Sequence, residues 1–195
     1  MLGRIIEEFS SLLYVIPAIL LAMSVHEYSH GFVAYKLGDI TPKKLGHLNF
    51  NPFQHFDLVG FLMLIWFRMG WTKMTPVDFR NVGYSKWKSI AIILSGMLGN
   101  FFLAIIFILL LELKKPVPES YLFNFIGYSI VLNFNFVLFN LLPLPPLDGG
   151  KIVGLFFKKY NKYEFIGVVL IIIFLFSKYS AFLQVMSNQI FNLFI

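Results

Sequence analysis

The stretch LLAMSVHEYSHGFVAYKL, Leu20 to Leu37, decides how the chain is read. Its flanks have the apolar character of a membrane-spanning helix, yet His26, Glu27 and His30 stand in its middle. An ionised side chain at the centre of a bilayer helix costs about 3 kcal/mol on insertion scales, so such groups persist only where a partner, an ion or a cavity offsets that cost.

The rest of the chain supports a membrane reading. Of its 195 residues 58% are apolar and 13% charged, with a mean hydropathy of +0.76. Soluble domains carry about a quarter charged residues. The length allows one domain, residues 1–195, with a core over roughly 9–155. The absence of cysteine excludes disulfides and thiolate metal sites. A net charge of +6 is expected to reflect cytoplasmic loops, and no nucleic-acid partner is implied. The N-terminal apolar run passes straight into the His/Glu cluster with no small-residue cleavage site before it, so it is expected to be retained.

A spanning helix needs about 20 apolar residues. Four stretches qualify, at roughly 9–36, 87–111, 121–143 and 164–193, the last with a kink or break near Lys178. The stretch 58–71, LVGFLMLIWFRMGW, is short for a span and suits a re-entrant or interfacial segment. Before it, Leu48 and Phe50 alternate with His47, Asn49 and Asn51 until Pro52. That period of two predicts a short strand or hairpin at the membrane edge. The expected fold is therefore an all-α polytopic membrane protein with about four transmembrane helices plus a re-entrant β-hairpin or short-helix element. With residues 37–86 kept on one side, twelve basic residues from Lys36 to Lys162 share that side, against Arg4, Lys114 and Lys115 opposite. The positive-inside bias puts the C-terminal end of the first helix at the cytoplasmic face.

HEYSH fits the pattern H-E-x-x-H. Residues four apart share a helix face, so His26 and His30 can present ring nitrogens to one metal ion, with Glu27 able to reach a water held there. Zinc accepts such ligands, and a catalytic site uses three protein ligands with the fourth position left to water. The third ligand has to come from elsewhere. Glu7, Glu8, Glu112, Glu119 and Glu164 flank spans, and Asp39 and Asp78 have turn neighbours. Asp148, in FNLLPLPPLDGGKI, follows prolines that force the backbone to unwind near membrane depth, which is tolerated where it lines a cavity. The alternative for Asp148 is an N-cap on the helix opening at Gly149. Asp57 reads as a cap or turn residue.

Together these residues resemble the site-2 protease family of intramembrane zinc metalloproteases, in its short form without a PDZ domain. HEYSHGFVAYKLGD and NLLPLPPLDGGKI carry the likeness most specifically. LNFNPFQHFDLVGFLML is similar to the N-P-x-x-H-x-D-x-x-G stretch of the short members, and LSGMLGNFFLA is a looser match to A-G-P-x-x-N, retaining Gly96 and Asn100. The resemblance implies one zinc ion held by His26, His30 and Asp148, Glu27 as the base, and Asn140 at the family's asparagine. Asn140 and Asn100 are each read either as substrate contacts or as interhelical hydrogen bonds. His55 is read as an oxyanion donor, a group supporting the site, or a loop cap. The implied partners are the substrate helix of a membrane protein and the lipid bilayer. The size and the absence of appended domains fit a prokaryotic cell (inner) membrane, and the strand expected at 46–51 offers an edge for strand addition. The rival reading is a membrane metal transporter or zinc-binding module without proteolysis.

Overall fold

In the computed structural model the decisive stretch is helical as far as Lys36. It forms the second half of α1, Leu2–Lys36, a helix of 35 residues that accommodates Pro17. Then follow α2 (Thr41–Lys44), α3 (Lys86–Lys114), α4 (Tyr121–Asn140), α5 (Asp148–Phe156), a 3₁₀ turn at Tyr160–Tyr163, and α6 (Glu164–Phe176). The structure describes residues 2–51, 73–157, 160–176 and 189. Three helical stretches, Ser10–Lys36, Lys86–Lys114 and Tyr121–Asn140, are long and apolar enough to cross a membrane. The protein is thus an integral membrane protein and, among the described residues, all-helical. Of the expected fourth span, Glu164–Phe176 is helical; its continuation, apart from Gln189, lies outside the described residues, as does the stretch 58–71.

One expectation is corrected. No strand occurs among the described residues, and 46–51 is a chain of turns and bends. Asn49 donates its amide to the Gly46 carbonyl, and its Oδ1 accepts the Asn51 N–H at 2.8 Å. An asparagine side chain that satisfies neighbouring backbone in this way competes with a strand ladder. The alternation of Leu48 and Phe50 was therefore misleading as a strand signal. The third span also ends earlier than expected, at Asn140, because a residue preceding proline is disfavoured in the helical region and Pro143 follows Leu142.

The chain divides into two compact units, Met1–Ala22 with Asn100–Ile195, and Met23–Gly99. In the first, Phe107, Leu111, Ile126 and Ile130 form an apolar core, flanked by Leu21, Leu103 and Phe125. Ser120 caps α4 by accepting the Phe123 N–H. Polar groups buried here are paired across helices and within them. Asn100 donates to the Ala22 carbonyl at 2.9 Å and to Asn133 Oδ1 at 2.8 Å, and Asn133 donates to the Ser129 carbonyl at 2.7 Å.

In the second unit Ala34, Val82 and Ile92 pack with Val33, Leu37, Val77 and Phe79. Beside them Asp39, fully buried, ties two loops together. It accepts the backbone N–H groups of Thr41 and Asp78, the Thr41 hydroxyl, and the Asn81 amide. Burial pushes the Asp39 carboxyl up, but the bonds from Thr41, Asn81 and Asp78 outweigh it and hold it below its ordinary value. With a folded value below the unfolded one, the ionised carboxylate stabilises the fold above the unfolded value of 3.8, and that stability disappears as pH falls through the folded value. Melting curves in detergent should therefore show wild type losing stability as the medium is acidified below 3.8. Asp39→Asn should be less stable at neutral pH and should lack this part of the acid dependence; parallel acid profiles would refute the assignment.

Candidate active site

Helical spacing brings His26 and His30 to one face of α1, and the structure makes them converge. Their Nε2 atoms lie 3.1 Å apart and the rings meet edge to face, centroids 4.6 Å apart. Both are buried. His30 Nδ1 stands 2.8 Å from the carbonyl oxygen of Ile92 on α3. A carbonyl can only accept, so Nδ1 carries the proton, and in the neutral ring Nε2 presents its lone pair toward His26. Fixing one ring nitrogen on a backbone carbonyl is how metal-binding histidines are commonly oriented. The Ile92 carbonyl also accepts from the Ser95 hydroxyl at 2.6 Å.

The rings fit because position 96 has no side chain. A Cβ there would come within 2.4 Å of His30 Nε2 and 2.8 Å of His26 Cε1. Gly96 thus forms the wall of α3 directly against the nitrogen that would hold an ion. Gly99, one turn on, would place a Cβ 2.2 Å from Ser29 Oγ, whose hydroxyl donates to the Val25 carbonyl at 2.6 Å, and 3.3 Å from Val25 Cγ1, so a methyl there presses on Ser29 and Val25 and on neither imidazole.

Glu27, also buried, is held from a loop. Its Oε2 accepts the backbone N–H of Thr75 at 2.6 Å, while the Thr75 hydroxyl donates to the Glu27 main-chain carbonyl at 3.0 Å. One loop residue thereby fixes both the carboxylate and the helix that carries it.

Asp148, 2% exposed, lies in the other unit. It is the first residue of α5 rather than its cap, which is Leu147. Its Oδ1 accepts from Lys151 Nζ at 2.8 Å. The loop before it is packed by three glycines. A Cβ at Gly149 would strike the Leu142 carbonyl oxygen at 2.4 Å, one at Gly150 the Leu144 carbonyl carbon at 2.4 Å, and one at Gly167 of α6 the Pro145 carbonyl oxygen at 1.9 Å. The last helix, which carries none of the motifs, is therefore a packing wall for the loop that leads to Asp148.

Of the remaining residues singled out, Asn100 makes the interhelical bonds described above, using both amide hydrogens. Asn140, the last residue of α4, donates to the Phe136 carbonyl at 3.1 Å within its own helix. His55 and Asp57 lie outside the described residues. Three contributors were not found from sequence: the Thr75 N–H, the Ile92 carbonyl and Lys151. The first two are main-chain groups with no residue signature.

The model of peptidase family M50 matches residues 112–177. A protein of Bacillus subtilis named "Putative zinc metalloprotease YwhC" is 35% identical over 147 residues, 72% of this chain and 67% of its own length. The chain belongs to peptidase family M50. MJ0611 of Methanocaldococcus jannaschii, named in the same terms, is 28% identical over 148 residues, 75% of this chain and 73% of its own. Rip2 of Mycolicibacterium smegmatis, again so named, is 25% identical over 139 residues, 69% of this chain and 54% of its own. No solved structure gives a significant match. Membership makes the chain a zinc metalloprotease, and the buried imidazole pair suits that metal. Tetrahedral zinc with bonds of about 2.0–2.1 Å holds two nitrogens about 3.3 Å apart, close to the 3.1 Å found.

The two glycines of α3 separate packing from metal binding. Gly96→Ala should fold yet lose most of its zinc, because the added methyl occupies the space beside His30 Nε2. Gly99→Ala should keep it, since its methyl displaces Ser29 and Val25 and neither imidazole. Metal analysis of both purified proteins checks this, and equal zinc in the two would contradict the role given to Gly96.

Proposed function

We propose that this M50 peptidase hydrolyses peptide bonds within or next to transmembrane helices of other membrane proteins, with His26, His30 and Asp148 holding one zinc ion and Glu27 serving as general base. The reading rests on the approach of the two Nε2 atoms, with the tautomer of His30 set by Ile92. Asp148 is supported as third ligand by its chemistry: with the imidazoles it makes a donor set of two nitrogens and one carboxylate oxygen, all three residues buried. Bound there, zinc would polarise the scissile carbonyl and acidify a water molecule.

The chain's own groups do the rest. Glu27, anchored through Oε2 by Thr75, removes a proton from the attacking water. A C–O bond forms, the C–N bond breaks, and the proton passes from Glu27 to the departing amine. Asn140 keeps its Oδ1 available to accept a substrate N–H, since its amide is bound to Phe136. Asn100 acts as a brace between helices. A substrate helix has to unwind before its carbonyl is accessible, because the helical hydrogen bond occupies it. The excess of basic residues in the loops that follow α1 supports a cytoplasmic position for the C-terminal end of that helix, in a prokaryotic membrane.

Two variants test the assignment on a model single-span substrate. Glu27→Gln should retain zinc and lose cleavage by about 10²–10⁴-fold, the usual range for a general base. Asp148→Asn should lose zinc as well as activity. Unimpaired cleavage by Glu27→Gln would remove Glu27 from the proposed chemistry, and zinc binding without any cleavage by wild type would leave a metal carrier as the better reading; full zinc in Asp148→Asn would move the third ligand to Asp57.

A further inference from the structure

The outer face of α1 carries a second constellation. Tyr28, Phe32, Tyr35 and Lys36 follow the i, i+4, i+7, i+8 spacing of one helical stripe. Tyr28 lies about 200° around the helix from both His26 and His30, so this stripe points away from the imidazoles. With Lys43, Gly46 and Leu48 these residues line a hollow of about 350 Å³. Its lower wall is aromatic. Tyr28 stacks on Phe32 at 5.8 Å and on Phe50 at 4.1 Å, yet Phe32 is 40% and Phe50 56% exposed. Its upper rim is cationic. Lys36 Nζ lies 5.5 Å from the centre of the Phe32 ring, and Lys43 Nζ lies 5.0 Å from that of Tyr35 and donates to the Tyr35 hydroxyl at 3.2 Å. Among the described residues neither ammonium is paired with a carboxylate.

We propose that this hollow binds the headgroup of an anionic phospholipid. From Tyr28 to Lys36 the stripe rises about 12 Å, enough to run from the acyl region into the headgroup layer. Along that rise the chemistry changes from exposed rings to a phenol and then to two ammoniums. A phospholipid changes in the same order, from chain to ester to phosphate. A small soluble anion would engage the lysines but would leave the rings uncovered. The proposal does not depend on the zinc reading, because no residue of the hollow belongs to that site.

Native mass spectrometry of the full chain, released from vesicles containing equal phosphatidylglycerol and phosphatidylcholine, provides the test. Wild type should retain phosphatidylglycerol in preference. Lys36→Gln/Lys43→Gln removes both ammoniums of the rim and should reduce that preference by about 30-fold, two lysines at about a kcal/mol each. Lys44→Gln/Lys73→Gln removes the same charge from outside the hollow and should leave it unchanged. Unaltered zinc content in all proteins reports intact folding. Should the first double variant fail to fold, Lys43→Gln alone, at an exposed position, carries the comparison. Equal losses in both double variants, no loss in the first, or displacement of the lipid by excess inorganic phosphate would overturn the proposal.

Discussion

A carboxylate and two imidazoles cannot stay inside an apolar helix without partners, and the structure around them is arranged to supply these. Ile92 offers a carbonyl to His30, and Thr75 offers an N–H to Glu27. The Nε2 atoms of the two imidazoles stand 3.1 Å apart, where a shared cation is the natural complement. The same rule acts farther along α1, where the Ala22 carbonyl receives the Asn100 amide. Each polar group at depth thereby fixes a neighbouring backbone segment as well as satisfying itself. The fold and the chemistry are specified by the same bonds.

Close approach is the second requirement, and glycine meets it. Gly96 lets α3 reach the imidazoles, and Gly149 and Gly150 of α5 and Gly167 of α6 let those two helices close on the proline-rich loop. Any of these positions filled by a methyl group would have to drive backbone or ring away by about 1 Å or more, enough to break a metal–ligand geometry. Small residues permit helix approach in membranes, where apolar burial between helices provides little drive. Here they also set where the reactive groups stand.

Much of this was legible in the sequence. Long apolar runs marked α1, α3 and α4, because spanning length and hydropathy are properties of composition. The pair His26 and His30 was legible because helical spacing dictates a shared face. Asp148 stood out because acids are few and the prolines before it forbid a helix. The period-two pattern at 46–51 misled because periodicity does not register a side chain that bonds to nearby backbone, as Asn49 does. Partners contributed by the main chain were invisible for a related reason: a carbonyl at Ile92 or an N–H at Thr75 looks like every other. Lys151 was visible as a residue, but its ion pair with Asp148 was not, since spacing of three along a helix that starts at the aspartate becomes evident only once that start is known.

The anchoring of Glu27 by a peptide N–H has a consequence for how such chains diversify. Every amino acid other than proline brings that same hydrogen to position 75, so the contact survives almost any drift in the identity of the residue. What has to be preserved is the path of the loop, which Asp39 ties down through Thr41, Asp78 and Asn81. Part of the demand set by the reactive carboxylate is thereby passed to Asp39, while at position 75 the burial and the hydroxyl bond to the Glu27 carbonyl are what restrict the side chain.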